Sequence, residues 1–239
     1  MQTIRGIVLN TFRFAEKKII AKIYSRNLGL VSILLHSGNS KKSTYKSALF
    51  FPFSEIDFQI QISSNKSLHH PSEINLVQSF YDAFSHPLKN SQLIFLNELL
   101  LKCLKEEHAN EELYDFIIDF LVLISMQNFN PDLHLLFLLE FTTYLGFHPH
   151  LKNAAAGSYF DLLEGVFVEK PTPHPYYCDK ESTEILRKFI VNSNKIKSQK
   201  ILVSSERKQL LNVFKLFYFL HVAGLNELKS IAVLEQLNS

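Results

Sequence analysis

The sequence predicts an α+β fold, a small β-barrel followed by an all-α helical domain, and three observations carry that prediction. The first eighty residues read as five short strands of β-branched and apolar residues around a Lys-rich hairpin. Past His69-His70-Pro71 the apolar period changes from two to about 3.6, the helical repeat. Between 147 and 180 that rhythm breaks at Pro149, Gly157, Gly165, Pro171, Pro173 and Pro175. The expected organisation is a barrel over 1–80 and a helical domain over 81–239, with 147–180 as an irregular insert.

Strands are expected over 4–9, 18–24 and 29–35, a hairpin over 37–43, and an alternating strand over 56–62. Helices follow over 73–84, 91–106 and 111–127. The fourth helix has Asn130 as N-cap, Pro131 at its first position and Gly146 after its last turn. It is apolar nearly all round from 133 to 141, the mark of a buried central helix. The insert carries a short hairpin, 159–162 with 165–168. Helices resume over 181–192, from Ser205 through Phe214, Phe217 and Tyr218, and over 226–237.

The net charge of +2 hides a strong asymmetry. Residues 1–80 hold ten Lys/Arg against four Asp/Glu, residues 81–150 three against ten, and residues 151–239 twelve against nine. A basic barrel beside acidic helices points to a polyanionic partner for the first segment. Cys103 and Cys178 form no spaced pair, and Cys103 lies in an apolar run that predicts a buried thiol. The N-terminus lacks a signal-type apolar core and no stretch is long enough to span a membrane, so a reducing, cytoplasmic setting is expected and no membrane contact.

Enzyme motifs are absent: no Gly-rich phosphate loop, no Gly-x-Ser-x-Gly elbow, no His-Glu-x-x-His helix. His148, His150, His174 and Cys178 gather in the insert without the paired spacing that fixes zinc, so neither metal nor cofactor is expected. The acids Glu106, Glu107, Glu111, Glu112 and Asp115 read as a solvated cluster at a helix start. In the barrel, Arg5, Arg13, Lys17, Lys18, Lys22, Arg26, Lys41, Lys42, Lys46 and Lys66 are spread over strands and loops, as phosphate binding along a groove requires. Arg5, Arg13, Lys17, Lys41, Lys42 and Lys46 are the candidate nucleic-acid contacts, with Phe12, Phe14, Tyr24 and Tyr45 as candidate stacking partners for bases. A second basic group includes Arg187, Lys188, Lys195, Lys197, Lys200, Arg207 and Lys208, opposed within that span only by Glu206.

The order and spacing of several patterns resemble the RecO family of bacterial recombinational-repair proteins, in its Bacteroidetes-like form, over essentially the whole chain. They are Arg5-Gly6-Ile7-Val8-Leu9, Gly29-Leu30, Ser40-Lys41-Lys42-Ser43 after Gly38, Ala48-Leu49-Phe50-Phe51-Pro52, Phe95-Leu96-Asn97-Glu98-Leu99-Leu100, Tyr144-Leu145-Gly146-Phe147, Phe160-Asp161-Leu162 with Gly165, and Leu228-Lys229-Ser230. The resemblance implies an N-terminal OB-fold and a helical bundle, often with an inserted zinc ribbon. It implies a non-enzymatic mediator that binds single- and double-stranded DNA, anneals strands, engages RecR and the C-terminal tail of the single-strand-binding protein, and helps load RecA. Arg187, Lys188, Arg207 and Lys208 beside Phe214 and Phe217 are the candidate rim and slot for that acidic tail. Two departures stand out. The insert lacks the family's four zinc ligands, and Ser37-Gly38-Asn39 replaces a stretch that carries two further cations. The rival readings are a metal-dependent nuclease or hydrolase built on His148, His150, His174 with Asp161 or Asp179, and a protein-interaction adaptor that no longer binds DNA.

Overall fold

The structure, a computed structural model, describes residues 1–38, 46–61, 68–104, 109–151 and 158–236. They fall into two compact units, residues 1–93 with 97–126, and residues 94–96 with 127–239. Lys41, Lys42, Tyr45, Lys66, Glu106, Glu107 and His108 lie outside the described residues.

The first unit opens with β1 (Gln2–Ala15), β2 (Lys18–Ser25) and β3 (Gly29–His36), an antiparallel meander. A 3-10 turn at Ser47–Phe50 leads into β4 (Glu55–Ile60), then β5 (Leu68–His69) and β6 (Ser72–Gln78). Alternation sorts the side chains: Ile4, Val8, Ala21, Ile23, Val31, Ile33, Leu35, Ile56, Phe58 and Ile60 turn to one face and form a single core with Phe50. Gly6 belongs to that register because a Cβ there would sit 2.3 Å from Ile23 Cγ2 and 3.2 Å from the Tyr24 carbonyl oxygen. Gly6 is therefore a packing requirement. Gly6→Ala should cost about 1–3 kcal/mol by overpacking, read as a lower urea midpoint with unchanged slope.

The strand order is β5-β3-β2-β1-β4-β6. Among the described residues the six strands of the expected small barrel do not close on themselves. The ladder ends at β5, parallel to β3, and at β6, antiparallel to β4. These two ends are consecutive in the chain, separated only by His70 and Pro71, and proline has no N–H to carry a ladder onward. Residues 72–78 are thus a strand, where the sequence pattern predicted a helix over 73–84. Leu76 and Asn75 pair with Ile56 and Asp57 on the otherwise open edge of β4, and satisfying those backbone groups outweighs helical periodicity. Only Tyr81–Phe84 is helical there, as the single turn α1.

Helices α2 (Pro87–Cys103) and α3 (Glu111–Met126) follow. Asn110 starts α3, its side-chain oxygen accepting from Leu113 N–H at 2.9 Å. Tyr114 donates to Glu55 at 2.8 Å and stacks on Tyr24, while Arg26 pairs with Asp115 at 2.8 Å and Glu111 at 3.5 Å. The acids at the start of α3 are therefore in part partners of the sheet. Cys103 is buried as expected, and burial pushes its thiol up to about 12.

In the second unit α4 (Leu133–Leu145) is the buried helix that the sequence predicts, and Gly146 caps it in the left-handed region at φ +84°. Its start differs from expectation. Asn130 and Pro131 form a turn, the Asn130 side chain bonding Asp132 N–H and the Ile196 carbonyl, and the helix begins two residues after Pro131. The strands β7 (Tyr159–Asp161) and β8 (Val166–Val168) make the predicted hairpin, and β9 (Tyr177–Cys178) adds to β7 as an unforeseen third strand. The helices α5 (Lys180–Val191), α6 (Ser193–Ile196), α7 (Ser204–His221) and α8 (Ile231–Gln236) complete the unit. Phe137, Phe141, Phe160, Phe189, Phe214, Phe217 and Tyr218 fill its core, with the Tyr218 hydroxyl donating to the Leu138 carbonyl at 2.8 Å.

Candidate nucleic-acid interface

β1 is much longer than its neighbour β4. Their pairing covers only residues 2–7 of β1, whereas β2 follows β1 out to Ala15. Residues 10–15 of β1 with β2 and β3 therefore form a leaf that extends past β4. Among the described residues no strand covers the free edge of this segment. Two register shifts leave Leu9 and Phe14 without an opposite residue, and such bulges bend and twist a strand. Glu16 and Lys17 make the two-residue turn into β2.

The tip of this leaf gathers Arg13, Lys17 and Lys18, all exposed, with Phe12 42% and Phe14 60% exposed. Arg13 donates one hydrogen bond to the Glu16 carbonyl at 3.0 Å. A concavity of about 330 Å³ lined by Thr11, Phe12, Arg13, Ile19 and Ser37 lies beside it. The remaining predicted contacts scatter. Arg5 lies near the other end of β1, held by two 2.9 Å bonds to Asp57. Lys46 is exposed ahead of the 3-10 turn. Tyr24 is no stacking partner: it is fully buried, its hydroxyl near the Asn110 carbonyl at 3.4 Å, and burial pushes its pKa up to about 12. Alternation on β2 did carry that signal, since Tyr24 shares a face with Ile20, which is also buried.

In the second unit the predicted rim and slot are not assembled. Phe214 and Phe217 are core residues, each 1% exposed. Arg207 is buried and pairs with Asp132 at 2.9 Å, so it presents no surface charge. Lys188 bonds both oxygens of Glu206 at 2.8 and 3.0 Å, and Arg187 is paired with Glu184. Lys208 is exposed.

The zinc that often accompanies the resembled fold does not fit the residues of the insert. Cys178 is buried in β9, where burial pushes its thiol up to about 12, and zinc needs a thiolate. His148 Nδ1 sits within 3.2 Å of the Thr142 and Thr143 hydroxyls and the Leu139 carbonyl, and His174 lies 3.4 Å from Asp161, which itself caps Leu163 and Glu164 N–H. Among the described residues no three His, Cys, Asp or Glu side chains converge as a metal site. Purified protein should carry far less than one zinc per chain, and chelator should leave its thermal transition unmoved. Near-stoichiometric zinc with unfolding on chelation would refute this.

Comparison with known proteins decides the lineage. The family model described as recombination protein O N terminal matches residues 1–80, and the one described as recombination protein O C terminal matches residues 85–230. The chain belongs to the RecO family. It is 29% identical to the DNA repair protein RecO of Bacteroides fragilis over 243 residues, covering 99% of each chain. The same protein of Flavobacterium johnsoniae is 29% identical over 98% of each chain, and that of Phocaeicola vulgatus 29% over the full length of both. Membership of this DNA repair and recombination family fits the exposed cations and aromatics of the leaf. No helix among the described residues is long and apolar enough to cross a membrane.

Proposed function

We propose that this RecO-family chain is a non-enzymatic mediator of recombinational repair, acting in the cytoplasm. It holds single- and double-stranded DNA, promotes annealing of complementary strands and, with RecR, helps load RecA onto DNA coated by single-strand-binding protein. The observation that supports this reading most is the leaf tip, where Arg13, Lys17 and Lys18 stand beside two exposed phenylalanines in a chain of this family. Cations on this leaf neutralise phosphates without reading sequence, which suits a protein that must accept any strand. The acidic tail of the single-strand-binding protein is assigned to the helical part, with Arg187, Lys188 and Lys208 as its cations and Arg207 removed from the set.

The test is a titration of fluorescent single-stranded DNA into the full chain at several salt concentrations, together with a peptide copying that tail. Affinity should fall linearly on a log–log salt plot. The peptide should bind, and Lys188→Glu with Lys208→Glu should weaken it while most DNA affinity survives. The adaptor reading has one observation in its favour, the capture of Arg5 and Arg26 by Asp57, Asp115 and Glu111. Peptide binding without salt-dependent DNA binding would select it.

A further inference from the structure

We propose that Phe12 and Phe14 form a stacking platform for unpaired nucleobases, so that the leaf tip distinguishes single-stranded from duplex nucleic acid. The inference rests on the DNA-binding reading above and deepens it.

Among the described residues, the other large aromatic side chains of this unit are buried or packed on another ring, exposed Tyr81 lying edge-on to Phe51 with centroids 4.7 Å apart. Tyr24, Tyr114, Phe53 and Phe58 are all below 2% exposed. Phe12 and Phe14 break that pattern two residues apart on one strand. Neither position is there by default. Phe12 stands opposite Ile20 and shares its face, on a β1 segment whose other edge carries no strand among the described residues. Phe14 is the extra residue of a bulge between Arg13 and Ala15, a position with no cross-strand neighbour to pack against. Two exposed rings at an open edge invite aggregation unless something covers them or charge protects them.

The charge present says what covers them. Arg13 lies between the two phenylalanines on β1, Lys18 and Lys22 stand opposite Ala15 and Asn10 on β2, Lys17 is in the turn, and Glu16 is the only acid of that turn. An apolar peptide would gain nothing from these cations, and the acidic tail is assigned above to the helical part. A strand of nucleic acid uses both, phosphates on the cations and bases on the rings. The concavity bordered by Phe12 and Arg13 lies at the small end of the range for ligand clefts. A duplex keeps its bases stacked inside and offers the leaf only phosphates. A single strand offers phosphates and ring faces together.

The experiment uses the full chain, a 20-nucleotide oligo-dT, an abasic strand with the same number of phosphates, and a blunt 20-base-pair duplex. Phe12→Ala with Phe14→Ala should weaken oligo-dT binding roughly ten-fold or more, with an unchanged salt slope because no phosphate contact is lost. Duplex and abasic-strand affinities should stay within about two-fold of wild type. Phe14→Leu keeps the apolar bulk and removes the ring, so its own loss on oligo-dT separates stacking from packing, with circular dichroism checking the fold. Equal losses on all three ligands, or none on oligo-dT, would overturn the proposal while leaving DNA binding intact. If wild-type protein binds none of the three, the DNA-binding reading itself falls and this inference with it.

Discussion

Arg207→Ala is expected to destabilise the second unit by about 3–5 kcal/mol, the effect of stripping one partner from a buried ion pair. Asp132 is fully buried, and both of its carboxylate oxygens accept hydrogen bonds. One carboxylate oxygen takes Arg207 Nε at 2.9 Å, and the other takes the N–H groups of Ile201 and Leu202 at 2.6 and 3.0 Å. Arg207 also donates to the Leu202 carbonyl at 3.0 Å. The pair therefore ties the start of α4 to the segment entering α7. Removing Arg207 leaves a buried anion with two N–H donors, which costs far more than losing a surface cation. Asp132→Asn with Arg207→Met should recover part of the loss, since the amide oxygen still serves the backbone donors. Urea unfolding followed by circular dichroism measures this. A loss under about 1 kcal/mol for Arg207→Ala would return this arginine to the surface role that its sequence neighbours suggested.

Buried His134, two residues from Asp132, adds a pH dependence. Burial first, and the charge of Arg207 second, push its folded-state pKa down to about 3. The unfolded chain protonates histidine near 6.5, so between 6.5 and 3 the unfolded state binds the extra proton. Stability is therefore fully present above 6.5 and is lost as pH falls through that window, by roughly 1.4 kcal/mol per pH unit from this group.

The contrast between Arg207 and Lys208 shows where sequence reading stops. Both follow Glu206 in a basic run, and only tertiary packing decides that one enters the core while the other stays in water. Helical periodicity held the hint: Arg207 falls on the face of Leu210, Leu211 and Phe214, whereas Lys208 does not. The first three strands, α4 with its glycine cap and the hairpin of the insert were legible because each depends on local alternation, period or turn chemistry. β6 was not, because its state is set by the open edge of β4, a partner at least twelve residues away in the chain. For the candidate site, the cations and the two phenylalanines could be read residue by residue. What could not be read is that β1 outruns β4, which alone brings Phe12, Arg13, Phe14 and Lys17 to one exposed tip.

Lys41, Lys42 and Lys46 supply the second large expected effect. The stretch from Ser37 to Lys46 holds Ser, Gly, Asn, Thr and a single Tyr besides its lysines, so it has little with which to build a core. Lys46, the one of the three among the described residues, is exposed. Replacing all three by alanine should leave thermal stability within about 0.5 kcal/mol of wild type, as ordinary surface substitutions do. DNA affinity should drop, and the log–log salt slope should flatten by up to about three units if each lysine neutralises one phosphate. The loss should be alike for single strands and duplex, because a point charge on phosphate carries no information about base pairing. That equality is the counterpart of the leaf tip, where ring removal is expected to spare the duplex and leave the slope alone. Combining the lysine set with Arg13→Ala and Lys17→Ala should add the two slope changes if the contacts are independent. Unchanged affinity and slope in the triple variant would take these lysines out of the interface and leave the leaf tip as the phosphate-binding site of the first unit.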